Sequence, residues 1–255
     1  MLPSIKNTPL RKTILSIAIY LGTTAYNLPS LSAQSYIDYT QISQQFIEAA
    51  NQNRFETADS ILQIVAKAQF TVLKNQLYSD NRKKVFWLNI YNGHTLLSIK
   101  RTPALYKSRK QYLSNKYIPI AGQLLSLNEI EHGILRRSNY LITETPEIKQ
   151  LRVLEPDYRI HFGLYFGATD GPDIVFFNEY SITEQLLQCE KAFITKTTQI
   201  DSNRREINIS ELFDWYKDDF GGKIGIRTIL QKNGIIQAKD WKLNYHSFSW
   251  EVRNN

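Results

Sequence analysis

Between Val85 and Leu97 the chain places apolar residues on every side of a helix. Val85 and Leu96 fall on one side, Phe86, Ile90 and Leu97 on another, and Trp87 and Tyr91 on a third. A surface helix carries a single apolar stripe, whereas a helix apolar all round must be enclosed by other elements. The spacing therefore predicts a buried helix over about residues 82–100. A chain of 255 residues with 42% hydrophobic and 12% aromatic content is large enough to enclose it, and that composition excludes a disordered protein.

Asn89 and Asn92, three apart, share one side of this helix. A buried polar group without a partner costs about 1–3 kcal/mol. Both amides are therefore candidate binding residues, tied either to the backbone of a neighbouring loop or to a ligand.

Around the central helix the pattern predicts amphipathic helices near 41–52 and 57–76, the latter from Ile61, Val65, Ala68 and Val72. Thr102-Pro103 ends the central helix, and residues 117–125, with Gly122 in the middle, read as a hairpin. Ser126 and Glu129 form a capping box that opens a helix to about residue 137, with Glu131 and His132 adjacent in its middle. Residues 159–166 alternate as a strand, which puts His161 opposite the stripe of Ile160, Phe162, Leu164 and Phe166. A second capping box, Ser181 to Glu184, begins a helix to about 195 on which Cys189 shares the apolar side with Ile182, Leu186 and Phe193. Residues 207–209 form a short strand, Ser210 caps a helix through Asp219, Gly221-Gly222 stops it, and a last helix covers 223–232. The expected fold is a helix-rich α+β single domain, residues 34–255, with a small antiparallel sheet.

The first 33 residues have the features of a secretory signal. Lys6, Arg11 and Lys12 form a basic start, Thr13 to Leu28 is mostly apolar and uncharged, and Leu31-Ser32-Ala33 offers a cleavage site before Gln34. An uncleaved anchor is the alternative, although about 16 apolar residues fall short of the roughly 20 that span a bilayer. Nothing later is long and apolar enough to be a transmembrane segment, and export to the periplasm or the exterior is the expectation. Cleavage removes three positive charges and lowers the formal charge from +7 to +4. The remaining charge is uneven. No acidic residue occurs between Asp80 and Glu129, an interval that holds Lys100, Arg101, Lys107, Arg109 and Lys110. Such a run is either a solvated surface or a face that attracts an anionic envelope component. Nucleic acid is excluded as a partner, since an exported chain with no recognition motif has none to meet.

Four ordered segments carry a family resemblance: Phe86 to Asn92, Leu125 to Arg136, Arg159 to Pro172, and Leu212 to Phe220. With Asp240 to Asn244 they span roughly residues 79–244, and the chain resembles the domain of unknown function 547 family. The family's helices, which precede a strand-based core with a Cys-Pro loop, are similar to a papain or transglutaminase arrangement, an analogy at the level of fold. The resemblance implies cysteines at two positions of the loop after the histidine. Aligned on His161 and Pro172, these fall on Phe166 and Gly171, with the family's Asn on Tyr165, a third candidate binding residue, and a Ser on Asp170. Neither Phe nor Gly can supply a nucleophile.

Three functions follow. One is a binding or structural module that has lost a cysteine-based site. Another is a hydrolase or transferase built on His161 or His132 with Glu131 or Asp170, where a histidine acts as general base and a carboxylate orients it. The third is a metal site from the same residues, for which no His-x-x-x-His or Glu-x-x-His spacing exists. No cofactor motif is present. The one cysteine, Cys189, allows no internal disulfide and reads as a core filler.

Overall fold

A computed structural model describes residues 37–138 and 145–253, so the signal-like segment 1–33 lies outside the described residues. The chain begins with α1 (Tyr39–Asn51), α2 (Phe55–Ala66), α3 (Phe70–Gln76) and α4 (Asp80–Arg101). Helix α4 is the central helix expected from the sequence, and every residue from Arg82 to Gly93 is buried. Helix α1 packs along it so closely that a Cβ on Gly93 would lie 2.7 Å from Phe46 Cε1 and 3.2 Å from Ile47 Cα.

The helix expected over 57–76 is two helices, because its middle carbonyls have other donors. The amides of Ala121 and Gly122 donate to Val65 O and Ala66 O, each at 3.0 Å. Those amides belong to the turn of the hairpin β1 (Ile118–Ile120) and β2 (Gln123–Leu125), where Ala121 at φ +47° and Gly122 at φ +78° make the left-handed two-residue turn that hairpins favour. Before the hairpin lie a 3₁₀ turn, Pro103–Ser108, and α5 (Arg109–Ser114). After it the capping box forms as expected. The Glu129 amide donates to Ser126 Oγ at 3.1 Å and the Ser126 amide donates to Glu129 Oε2 at 2.9 Å. The helix it opens is a π-helix, Glu129–Leu135, followed by α6 (Pro146–Gln150).

The strand expected over 159–166 is absent. Ile160–Gly163 form one helical turn, α7, and residues 164–166 run on in an extended loop. Both apparent faces of the segment are buried, His161 and Tyr165 as completely as Ile160 and Leu164. A period of two discriminates a strand only where one face is wet. The space beside Gly163 is filled too, since a Cβ there would lie 2.9 Å from Phe177 Cζ.

Two asparagines of α4 take the place of a strand partner. Asn92 Nδ2 donates to Gly163 O at 2.8 Å while its Oδ1 accepts from the Tyr165 amide at 2.8 Å. Asn89 does the same for one residue of the next loop, donating to Phe177 O and accepting from the Phe177 amide, both at 2.9 Å.

Helix α8 (Ile182–Thr197) starts without the second capping box. Ser181 makes no side-chain cap, and Asn178 Oδ1 instead accepts from the Tyr180 and Ser181 amides. The last part holds β3 (Gln199–Asp201), β4 (Glu206–Ser210), α9 (Leu212–Trp215), α10 (Gly222–Lys232) and β5 (Lys242–His246). Ser210 Oγ accepts from the Leu212 amide as a cap, but α9 is one turn long, and residues 216–221 are turns that reach two left-handed glycines, Gly221 and Gly222. Strand β4 pairs antiparallel with β3 and parallel with β5. The α+β, helix-rich reading holds, with its strands in one hairpin and one mixed three-stranded sheet.

Asn92→Leu removes both hydrogen bonds and leaves two buried backbone groups without partners. Loss of about 1–3 kcal/mol is expected in chemical denaturation. A midpoint equal to the parent's would show that the amide is not holding the 163–165 loop.

Candidate functional site

Glu131 and His132 project from the π-helix, and Arg136 follows one residue beyond its end. On an α-helix adjacent side chains diverge by about 100°. In the π-turn they converge, and Glu131 Oε1 comes within 3.7 Å of His132 Nδ1. Helix α7 brings His161 to the same place, and the turns after α9 bring Tyr216 and Asp219.

Asp219 is the hub. Its Oδ2 accepts from His161 Nε2 at 2.7 Å and from Arg136 Nε at 2.6 Å, and its Oδ1 accepts from Arg136 Nη2 at 3.0 Å. Arg136 Nη1 lies 2.7 Å from His132 Nδ1, which ties the second histidine to the hub. Tyr216 stacks its ring on His161 at 3.8 Å and lies under the Arg136 guanidinium at 4.7 Å. Its hydroxyl donates to Glu131 Oε1 at 2.6 Å, and Tyr91 of α4 donates to Glu131 Oε2 at 3.4 Å.

The electrostatics shift three of these groups, His161, Asp219 and Tyr216. Burial lowers the His161 pKa, and the neighbouring Asp219 and Glu131 only partly offset it. A neutral imidazole that donates from Nε2 has an unprotonated Nδ1, which matches the buried Nδ1 that makes no hydrogen bond. For Asp219 burial acts upward, but the hydrogen bonds from His161 and Arg136 outweigh it and hold the carboxyl well below the usual range. Tyr216 is pushed well above its ordinary value, first by burial and then by Glu131, so its hydroxyl stays a donor. The result is a carboxylate held by an arginine and a neutral histidine beside a second carboxylate held by two tyrosines.

The structure thus joins His161, His132 and Glu131 and leaves Asp170 out. Asp170 Oδ2 accepts from the Ser249 amide at 2.7 Å and serves the loop 167–171, which Arg253 also fastens through Thr169 O and Gly171 O. The polar atoms of Asn89 and Asn92 are taken by backbone, and Tyr165 is fully buried. Phe166 packs against Phe248 and Trp250, while a Cβ on Gly171 would lie 3.2 Å from Ala168 O. Burial pushes the Cys189 thiol up to about 12. Among the described residues no three His, Cys, Asp or Glu side chains are placed to hold a metal ion. Tyr216 and Asp219 were not foreseen, although both lie in the 212–220 segment that carries part of the resemblance. Acidic and aromatic residues following a capped helix were the available signal.

Residues 75–194 match the family model described as protein of unknown function, DUF547. This stretch of the chain is similar to the DUF547 family. No curated protein and no solved structure matches it. The matched DUF547 segment contains Asn89, Asn92, Glu131, His132, Arg136 and His161, and ends before Tyr216 and Asp219.

Two histidines shielded by their surroundings, one buried and one half-buried, contribute a pH dependence to stability. His161 is lowered by burial, and His94, stacked on Tyr117, is lowered from 6.5 to about 4 for the same reason. Below about pH 6.5 the unfolded chain binds protons that the folded chain refuses. Their contribution is complete above that pH and is lost as the pH falls, for His94 through the range down to about 4, with a slope of up to about 1.4 kcal/mol per pH unit for each histidine. His94→Gln should remove its part and leave the part due to His161. Urea midpoints that stay level from pH 7 to pH 4.5 would show that neither imidazole is shielded.

Proposed function

We propose that this chain is an exported DUF547 protein that acts as a binding or structural module and runs no thiol chemistry. The observation that carries this reading is the state of its one sulfur nucleophile. Cys189 is buried on α8 with its thiol raised to about 12, and Phe166 and Gly171 stand where the resemblance implies cysteines. The His161 network supports the same reading, because its donors and acceptors are directed at one another and His161 has no exposed surface. The convergence of His161, His132 and Glu131 favours a second reading, a hydrolase or transferase with His132 as the base, since the His132 side chain is 18% exposed.

Export is proposed from the basic start, the short apolar run and Ala33 of the first 33 residues. No helix among the described residues is long and apolar enough to cross a membrane. We propose an anionic envelope component as the partner, met by a smaller basic face than the sequence implied. Lys100 Nζ donates to Ala50 O and Asn51 O, and Arg101 forms an ion pair with Asp59, whereas Lys107, Arg109 and Lys110 form no ion pair among the described residues.

Two measurements test the proposal. Intact mass of the exported protein should correspond to a chain beginning at Gln34, and a full-length species confined to the membrane fraction would contradict export. Cys189 should resist iodoacetamide in the native protein, and Cys189→Ala should leave esterase and amidase turnover at background while costing about 1 kcal/mol of stability. Turnover in the parent that disappears in Cys189→Ala would overturn the loss of thiol chemistry, and turnover that disappears only in His132→Gln would establish the second reading.

A further inference from the structure

Lys107, Arg109 and Lys110, which form no ion pair among the described residues, line one cavity. The 3₁₀ turn and the start of α5 bring them to an open surface cleft of about 730 Å³ that Trp250 also lines. No acidic residue lines it, and Ser108 and Gln111 add uncharged polar groups. Arg109 is fixed in place, its guanidinium 4.8 Å from the centre of the Trp250 ring. Trp250 is fixed in turn by Trp215, stacked at 5.4 Å, and by Phe248 at 4.7 Å. A flexible surface lysine contributes little to recognition, but an arginine stacked on a braced indole is already ordered.

A second observation points inward from the same cleft. Arg109 and Trp250 also line a small inner chamber of about 10 Å³ together with Thr95 and Tyr112. Thr95 Oγ1 and Tyr112 Oη are buried there and make no well-formed hydrogen bond to protein, although Tyr112 lies near both Thr95 and Ser98. Two buried hydroxyls beside a water-sized space can serve a water or the polar end of a bound molecule.

We propose that the cleft between Lys107, Arg109, Lys110 and Trp250 is a binding site for a phosphate ester. One arginine fork satisfies a carboxylate, which has two oxygens and one charge. A phosphate group has more acceptor oxygens and up to two charges, and so can engage the fork and both ammonium groups together. The cleft is open to solvent, so the esterified portion can extend past the indole edge and the Ser108 and Gln111 side. This narrows the anionic-partner reading above and rests on it. The shared chemistry is the phosphate ester, whether it is a lipid headgroup or a soluble compound.

The test titrates the purified protein with inorganic phosphate at constant ionic strength, read by tryptophan fluorescence and calorimetry, with sodium acetate as the comparator. Saturable binding, about tenfold tighter for phosphate than for acetate, is expected. Arg109→Gln and the double variant Lys107→Gln/Lys110→Gln should each weaken phosphate by about tenfold, and the exposed Lys67→Gln should not. The lysine pair is exposed, so the double variant remains informative even if Arg109→Gln disturbs the packing of Trp250. A phosphate signal no larger than that of chloride at equal ionic strength, or parent-like affinity in both cleft variants, overturns the site.

Vesicles of phosphatidylglycerol and phosphatidylcholine, against phosphatidylcholine alone, identify the source. Sedimentation with the anionic vesicles that the lysine pair weakens assigns a lipid headgroup, and saturable phosphate without vesicle binding assigns a soluble ester. Equal vesicle binding by parent and cleft variants rejects the cleft while the general basic-face reading stands. No binding to any anionic probe rejects both.

Discussion

A helix buried along most of its length cannot leave its polar groups to water, and α4 shows where most of them go. Arg82, at its start, forms ion pairs with Asp38, the cap of α1, and with Glu179, while Lys84 reaches Asp157 at 3.1 Å. Trp87 Nε1 donates to Leu151 O at 3.2 Å, Asn89 and Asn92 hold Phe177 and the 163–165 loop, and Tyr91 reaches Glu131. Each bond satisfies a group that would otherwise be buried alone, and each also fixes a segment far away in sequence. The irregular chain from 157 to 181 is ordered by this one helix, with little help from a sheet.

The clamp at Asn92 has a direct chemical consequence. It holds Gly163 and Tyr165 on either side of a bend, which sets α7 so that His161 faces Asp219 and Tyr216. Arg136 arrives from the π-helix with the compensating charge. The imidazole is then stacked, dry and neutral, and it donates its one proton to a carboxylate that the arginine already holds. Such a histidine resembles the oriented base of a catalytic pair in one half only. The other nitrogen points at no nucleophile, and the residues at 166 and 171 provide none.

Much of the scaffold was legible in the sequence, because the signals were local. All-round apolarity gave α4, the Ser126–Glu129 spacing gave a capping box, and Gly122 between two short apolar runs gave the hairpin. The Asn89 and Asn92 pair was legible as a burden that needed partners. What was not legible depended on distant residues. The break after Ala66 comes from hairpin amides 56 residues further on, at Ala121 and Gly122. The alternation of 159–166 failed as a strand signal because both faces are buried. Asp219 and Tyr216 meet their partners across separations of 58 and 85 residues, and Trp250 meets Arg109 across a still longer span, so no local window in the sequence contains any of these pairs.

The central claim is that His161 is a sealed, neutral donor to Asp219. Nitrogen-15 NMR of the imidazole between pH 5 and pH 8 tests it most directly. The account predicts a ring that is neutral and protonated at Nε2 at pH 7, with any uptake of a second proton displaced to lower pH than in the unfolded chain. A His161 that takes up a second proton with a midpoint near 6.5 would show a solvent-accessible base, and would contradict both the sealed network and the reading of this chain as a binding module.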